Sequence, residues 1–143
     1  MDGNVELLNY IHQNAAMGAD TISHLIEIAQ DIEFRKVLES QYREYKEILS
    51  VSNDKLRAIH QEPKSINTLS KASAHLMIDL KTLKARDASH LSEMLIQGST
   101  MGIIDMTKKI HAYSDGDEDI LNLARRLLSF EEKNVEACKK FLN

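Results

Sequence analysis

The chain has few of the residues that interrupt helices or cross-link a fold. Its 143 residues include one cysteine, one proline, five glycines and no tryptophan. The single cysteine, Cys138, excludes an internal disulfide and any metal site built from several cysteines. Since proline and glycine are so scarce, little of the chain needs to be loop.

Signals for nucleic acid, secretion and membrane insertion are also missing. The 18 Lys and Arg residues are scattered among 22 Asp and Glu residues, so no basic face indicates a nucleic-acid partner. The first four residues lack the basic and apolar regions of a signal peptide. No apolar run approaches the roughly 20 residues of a membrane-spanning helix. We therefore expect a cytoplasmic protein with neither nucleic-acid nor membrane partners.

Apolar residues recur at alternating spacings of three and four, which is the period of an amphipathic helix. Three stripes follow this spacing: Leu8, Ile11, Ala15, Gly18, Ile22, Leu25 and Ala29; Ile66, Leu69, Ser73, Leu76, Leu80 and Leu83; and Leu121, Ala124, Leu128, Glu131, Val135, Cys138 and Leu142. The pattern predicts an all-α, up-down helical bundle that forms a single domain over residues 1–143.

Residues that favour the beginning or the end of a helix divide this pattern into separate helices. We predict a first helix over residues 4–30, with Asp31 as the N-cap of a second helix that ends before Pro63. The second helix should point a third apolar set inward: Leu38, Tyr42, Tyr45, Leu49, Ser52, Leu56 and Ile59. Ser65 is a candidate cap for a helix over residues 66–83, and residues 66–113 form either one kinked helix or two. We place the break at residues 86–89, with Asp87 as a cap, and the last helix over residues 118–142.

A short internal repeat relates the two halves of the chain. The segment around Met17 and Gly18 is similar to the segment around Met101 and Gly102. Glycine costs about 1 kcal/mol in a helix interior. We therefore predict that both glycines mark close helix–helix approaches within two related hairpins.

Two runs carry a family resemblance: Leu7-Leu8-Asn9-Tyr10-Ile11-His12-Gln13-Asn14, and Met94-Leu95-Ile96-Gln97-Gly98-Ser99-Thr100-Met101-Gly102-Ile103-Ile104-Asp105. They are similar to runs in small uncharacterised ferritin-like proteins of anaerobic bacteria. The resemblance implies a ferritin-like bundle in which a long helical crossover, here residues 66–83, joins the two hairpins. Active ferritin-like proteins carry Glu-x-x-His on two helices. This chain contains no such motif, so the standard di-iron ligand set is missing.

Glu131 stands out because it is the one carboxylate on an apolar stripe, between Leu128 and Val135. A buried glutamate needs a partner, which here could be a metal, an arginine, a tyrosine hydroxyl or water. Asp105 and Glu44 flank their own stripes and are the next candidate carboxylates. His90 and Glu93 form a reversed His-x-x-Glu pair. These five residues are the candidate metal ligands, and iron or manganese would be the metal.

The sequence favours a non-catalytic binding or interaction protein, and we predict no cofactor for it. An apolar strip at Ile104, Phe141 and Leu142 suggests a homodimer or contact with another protein. The alternative is a carboxylate-bridged iron or manganese protein that stores metal or catalyses oxidation. A third possibility is a small-ligand pocket lined by Tyr42, Tyr45 and Met101.

Overall fold

Every element that the structure describes is a helix, which confirms the all-α prediction. The computed structural model describes residues 3–62 and 86–143. Within them lie α1 (Gly3–Ile28), α2 (Ile32–Ala58), α3 (Ala88–Ala112) and α4 (Glu118–Lys139). The predicted cap at Ser65 and the predicted crossover over residues 66–83 lie outside the described residues.

Aspartates begin three of the four helices. The Asp31 carboxylate accepts a hydrogen bond from the Phe34 amide at 2.8 Å, which satisfies one of the free N–H groups at the start of α2. Asp117 does the same for α4 through the Asp119 amide at 2.9 Å. Asp87 occupies the N-cap position of α3, although its side chain makes no capping hydrogen bond. The predicted break at residues 86–89 is therefore confirmed as the start of α3.

Three helix ends differ from the prediction, and the first of them is that of α1, which ends at Ile28 rather than at residue 30. Ile59 follows the end of α2 as its C-cap and is exposed, because the chain leaves the helix there and reaches a positive φ of 59° at His60. The last helix ends at Lys139 rather than at residue 142, and the Phe141 and Leu142 amides bond to the Cys138 and Lys139 carbonyl groups in a closing turn.

The four helices form two hairpins, α1 with α2 and α3 with α4, which pack against each other. The contact between the hairpins is made mainly by α4 with α1, and to a lesser extent by α4 with α2 and α3 with α1. The residues fully buried in this interior include Leu8, Ile11, Leu25, Phe34, Leu38, Ile48, Leu56, Leu91, Met106, Leu121 and Leu127. None of the described helices is long and apolar enough to cross a membrane.

The two repeated glycines lie at close contacts between paired helices, as predicted. A β-carbon on Gly18 of α1 would overlap the Tyr45 ring of α2, and one on Gly102 of α3 would overlap the Glu131 carboxyl group of α4. In each hairpin the first helix therefore lacks a side chain where the second helix places a polar one.

Replacing Gly18 with alanine tests this contact. Alanine is the better helix former by about 1 kcal/mol, but its methyl group would displace the buried Tyr45 ring. We expect Gly18→Ala to lower the free energy of unfolding by about 1–2 kcal/mol in urea denaturation. In a Tyr45→Leu background the same change should be neutral or stabilising. An equal loss in both backgrounds would show that the Tyr45 ring does not determine the cost.

Candidate functional site

Glu131 is buried at the junction of the two hairpins. Its stripe position on α4 points the side chain into the bundle, and it is only 2% exposed. Gly102 of α3 lies against its carboxyl group. The Asn14 side chain of α1 hydrogen bonds to that group, whereas Oε1 has no hydrogen-bond partner among residues 3–62 and 86–143. Three helices thus enclose one carboxyl group, for which Asn14 is the amide partner.

Burial changes the protonation of Glu131. Removal from water disfavours the carboxylate and raises the pKa of Glu131 to about 8, although the Asn14 hydrogen bond offsets part of the rise. At neutral pH most molecules therefore carry a neutral carboxylic acid at this position. A neutral acid is tolerated inside a helical bundle at far lower cost than an unpaired charge.

Tyr10 of α1 hydrogen bonds with Asn14, the amide partner of this acid. Burial is the main cause that raises the pKa of Tyr10, and the charges of Asp105 and Glu131 raise it further. Its hydroxyl group hydrogen bonds with Asp105, which is exposed on α3. The Lys109 ammonium lies 5.4 Å from the centroid of the Tyr10 ring. Asp105 and Glu131 thus act on the same tyrosine, one at the surface and one inside.

A second group of polar side chains lies about one helical turn further along α4. Tyr45 of α2 packs edge-on against Phe130, with ring centroids 4.8 Å apart. Burial and, secondarily, the charge of Glu131 raise the pKa of Tyr45. Asn134 lies near enough to the hydroxyl group to offset part of this rise, although its Nδ2 atom makes no hydrogen bond of good geometry. The Gln41 amide approaches Cys138 Sγ at 3.9 Å, which is a weak hydrogen bond.

A groove of about 590 Å³ runs between α2 and α4 beside these amides. Its lining mixes apolar, amide and charged side chains: Val37, Ser40, Gln41, Arg43, Glu44, Glu47, Phe130, Lys133, Asn134 and Ala137. Arg126 forms ion pairs with both lining carboxylates, Glu44 and Glu47. The predicted pocket of Tyr42, Tyr45 and Met101 is not this groove, which none of the three lines. Tyr45 is buried in the core and Met101 is 44% exposed on α3.

The structure does not bring the five predicted metal ligands to one place. Glu44 forms an ion pair with Arg126. Glu93 is exposed and His90 is half-buried near the start of α3. These two lie roughly 13–18 Å along the helix from Gly102, which contacts Glu131. Among residues 3–62 and 86–143, no group of three or more His, Cys, Asp or Glu side chains could hold a metal ion.

Sequence reasoning missed the amides that surround Glu131 and line the groove. Asn14, Gln41 and Asn134 each lie next to a predicted stripe, and Asn134 follows Glu131 by three residues on α4. An amide at such a position can lie on the buried face of its helix. Because it is uncharged, it does not stand out in the sequence as a buried carboxylate does. The usable signal was the Glu131–Asn134 pair, since two polar residues on one buried face indicate a polar interior.

The raised pKa of Glu131 predicts a pH-dependent stability. Between about pH 4.3, where an unfolded glutamate titrates, and pH 8, the native protein retains a proton that the unfolded chain has released. The free energy of unfolding should therefore fall as pH rises through this window, by at most about 1.4 kcal/mol per pH unit. Glu131→Gln should remove this fall and be more stable than the wild-type protein at pH 8.5.

Urea denaturation of both proteins from pH 5.5 to 8.5 measures the effect. Glu132→Gln is the matched control, because Glu132 is the exposed neighbour of Glu131 on α4 and should keep the wild-type pH dependence. Parallel stability curves for the wild-type protein and Glu131→Gln would contradict the assignment.

Comparison with known proteins supports the all-α fold and gives no evidence on function. No family model matches the chain, and no curated protein matches it. Among solved structures, the chain is similar to the crystal structure of a DUF305 fragment from Deinococcus radiodurans, with a TM-score of 0.78 and 14% sequence identity. The similarity covers 98% of this chain and 95% of the fragment. The chain therefore shares an all-α fold with that fragment.

Proposed function

We propose that this chain is a ferritin-like helical bundle that works as a non-catalytic binding module and lacks the standard di-iron ligand set. Its ligand would occupy the groove between α2 and α4. The observation that carries the proposal is the groove itself, whose lining combines apolar side chains, the amides Gln41 and Asn134, and charged residues of both signs.

Burying an amide side chain costs free energy, and apolar side chains at Gln41 and Asn134 would pack between two helices without that cost. Both amides are instead part of the groove lining, which suits a bound molecule that has polar groups. The groove volume, about 590 Å³, falls within the range of small-molecule sites.

The groove lining favours binding over catalysis. Its two carboxylates, Glu44 and Glu47, are ion-paired with Arg126. Glu131, whose pKa is raised by burial, is not among the lining residues, and no histidine or cysteine of the described chain lines the groove. A general base would have to come from a carboxylate that is already engaged with a cation, or from the exposed Lys133.

The alternative function, a carboxylate-bridged iron or manganese protein, has one supporting feature: the Oε1 atom of Glu131 has no hydrogen-bond partner in the part of the chain that the structure describes. A two-metal centre needs several carboxylate and imidazole ligands, and Glu131 is the one buried carboxylate of the described residues. Retention of about two metal ions per chain, lost in Glu131→Ala, would establish this alternative.

We also propose self-association through α3. Ile104 and Met101 are 49% and 44% exposed and lie three residues apart on one helical face. Leu142 is exposed as well, but Phe141 packs against Phe34 with ring centroids 5.1 Å apart and is engaged within its own chain. Light scattering should show a dimer that Ile104→Glu weakens, because a charge would enter the apolar contact. A strict monomer at millimolar concentration would contradict this.

Blocking the groove tests the binding function. Ser40 is exposed and lines the groove, so a phenylalanine there should fill the space without disturbing the core. We expect a fragment panel of anionic, cationic and neutral small molecules to shift the side-chain NH2 signals of Gln41 and Asn134 in ¹⁵N spectra. Ser40→Phe should abolish these shifts.

Ser50→Phe is the matched control, because Ser50 is exposed on the same helix and does not line the groove. It should preserve every fragment hit. If fragments of no charge class shift the two amides, or if Ser40→Phe leaves the shifts unchanged, the groove is not the binding site.

A further inference from the structure

We propose that the middle of α3, residues 96–105, opens locally when Glu131 releases its proton, and that this movement brings the buried carboxylate into contact with water. The proposal is independent of the groove between α2 and α4. Three features support it: the weak packing of this stretch, the carboxyl group that lies beneath it, and the surroundings that this group would have as an anion.

The middle of α3 is held in the bundle by few buried side chains. Leu95 and Met106 are buried, but no residue between them is, over nearly three helical turns. In α1, by contrast, buried side chains recur on every turn from Leu7 to Leu25. Segments with few buried apolar contacts are the ones that open locally at low free-energy cost. The two ends of α3 are therefore anchored in the core, whereas its middle is held less firmly.

The local sequence weakens the same stretch. Gly98 and Gly102 lie within it, and glycine is the poorest helix former after proline. Close to its end, the Thr107 hydroxyl group donates a hydrogen bond to the Ile103 carbonyl oxygen at 2.7 Å. Such bonds slightly destabilise a helix and often bend it. This part of α3 can therefore open while the rest of the bundle stays folded.

The one buried carboxyl group of the described residues lies beneath this stretch. Glu131 is 2% exposed, and Gly102, which lies against its carboxyl group, is partly exposed. Side chains of the first hairpin cover the group from other directions. Asn14 hydrogen bonds to it, and its charge acts on Tyr10 and Tyr45. On the α3 side, by contrast, a glycine without a side chain separates the carboxyl group from the surface.

As an anion, Glu131 would lack a charge partner in its closed position. None of the ion pairs among the described residues includes Glu131. The titratable groups around it are Tyr10 on α1, Tyr45 on α2, Asp105 and Lys109 on α3, and Cys138 on α4. Burial raises the pKa values of both tyrosines and of the cysteine, so these groups stay neutral. The Lys109 ammonium lies over the Tyr10 ring, and Asp105 is itself negative. Since an unpaired buried charge is strongly destabilising, the ionised carboxyl group favours the open form.

The protonation states of the two forms determine the pH dependence of opening. In the closed form, burial raises the pKa of Glu131 to about 8. In the open form, water surrounds the carboxyl group, which then titrates near about pH 4.3. Between these values each opening event releases one proton. The open population should therefore rise about tenfold per pH unit and level off above about pH 8.

Hydrogen exchange of the backbone amides, followed residue by residue by NMR, tests the proposal. Protection factors, which correct for the intrinsic pH dependence of exchange, are measured between pH 5.5 and 7.5. The amides of residues 100–106 should exchange through an opening that costs less free energy than unfolding in urea. Their protection should fall about tenfold per pH unit. Low urea concentrations should hardly change their exchange, because a local opening exposes little surface.

Glu131→Gln should make the protection of these amides independent of pH, because glutamine keeps the size of the side chain and cannot ionise. Glu132→Gln is the matched control: it removes a carboxyl group from the exposed neighbouring position on α4 and should retain the wild-type fall in protection.

Two results would overturn the proposal. If the amides of residues 100–106 are protected as strongly as those of Leu38 and Ile48 in the core of α2, α3 opens only when the whole bundle unfolds. This comparison uses the wild-type protein alone and needs no variant. If the amides exchange by local opening but their protection does not change with pH, or falls equally in Glu131→Gln, the opening is not coupled to Glu131.

Discussion

The close approach of α3 to α4 at Gly102 is the contact on which the interior chemistry depends. Any β-carbon at this position would overlap the Glu131 carboxyl group. Because α3 can lie so close, the carboxyl group is sealed from water, and burial raises its pKa to about 8. The equivalent contact in the other hairpin, Gly18 with Tyr45, buries a second polar side chain in the same interior.

Because of these two contacts, the centre of the bundle contains polar side chains as well as apolar ones. The charge of Glu131 raises the pKa of Tyr45, and Asn134 lies next to the Tyr45 hydroxyl group. Such an arrangement costs stability compared with an apolar core of equal volume. Asn134 also lines the groove, so the binding site that we propose lies beside these buried polar side chains. The fold itself demands none of this, because helical bundles close readily on apolar residues alone.

The sequence was sufficient for the all-α class and for the four helices that the structure describes. Helical periodicity, the N-cap at Asp31 and the start of α3 near Asp87 all follow from local rules that depend on neighbouring residues. The repeated Met-Gly pair correctly indicated close helix contacts. The site was harder, because it depends on which faces of α2 and α4 meet. The pairing of Glu44 with Arg126 joins residues 82 positions apart, and no local pattern marks it. The burial of Asn134 could not be predicted, because nothing in the sequence distinguishes an uncharged amide on a buried helix face from one on an exposed face.

The protonation state of Glu131 tests the account most directly. Glutamate labelled with ¹³C at the carboxyl carbon gives one NMR signal per residue, and each can be followed as pH changes. We expect one signal to titrate near pH 8 and to be missing from Glu131→Gln. If no signal titrates near that pH, the Glu131 carboxyl group reaches water, and the sealed contact with Gly102 does not exist in solution.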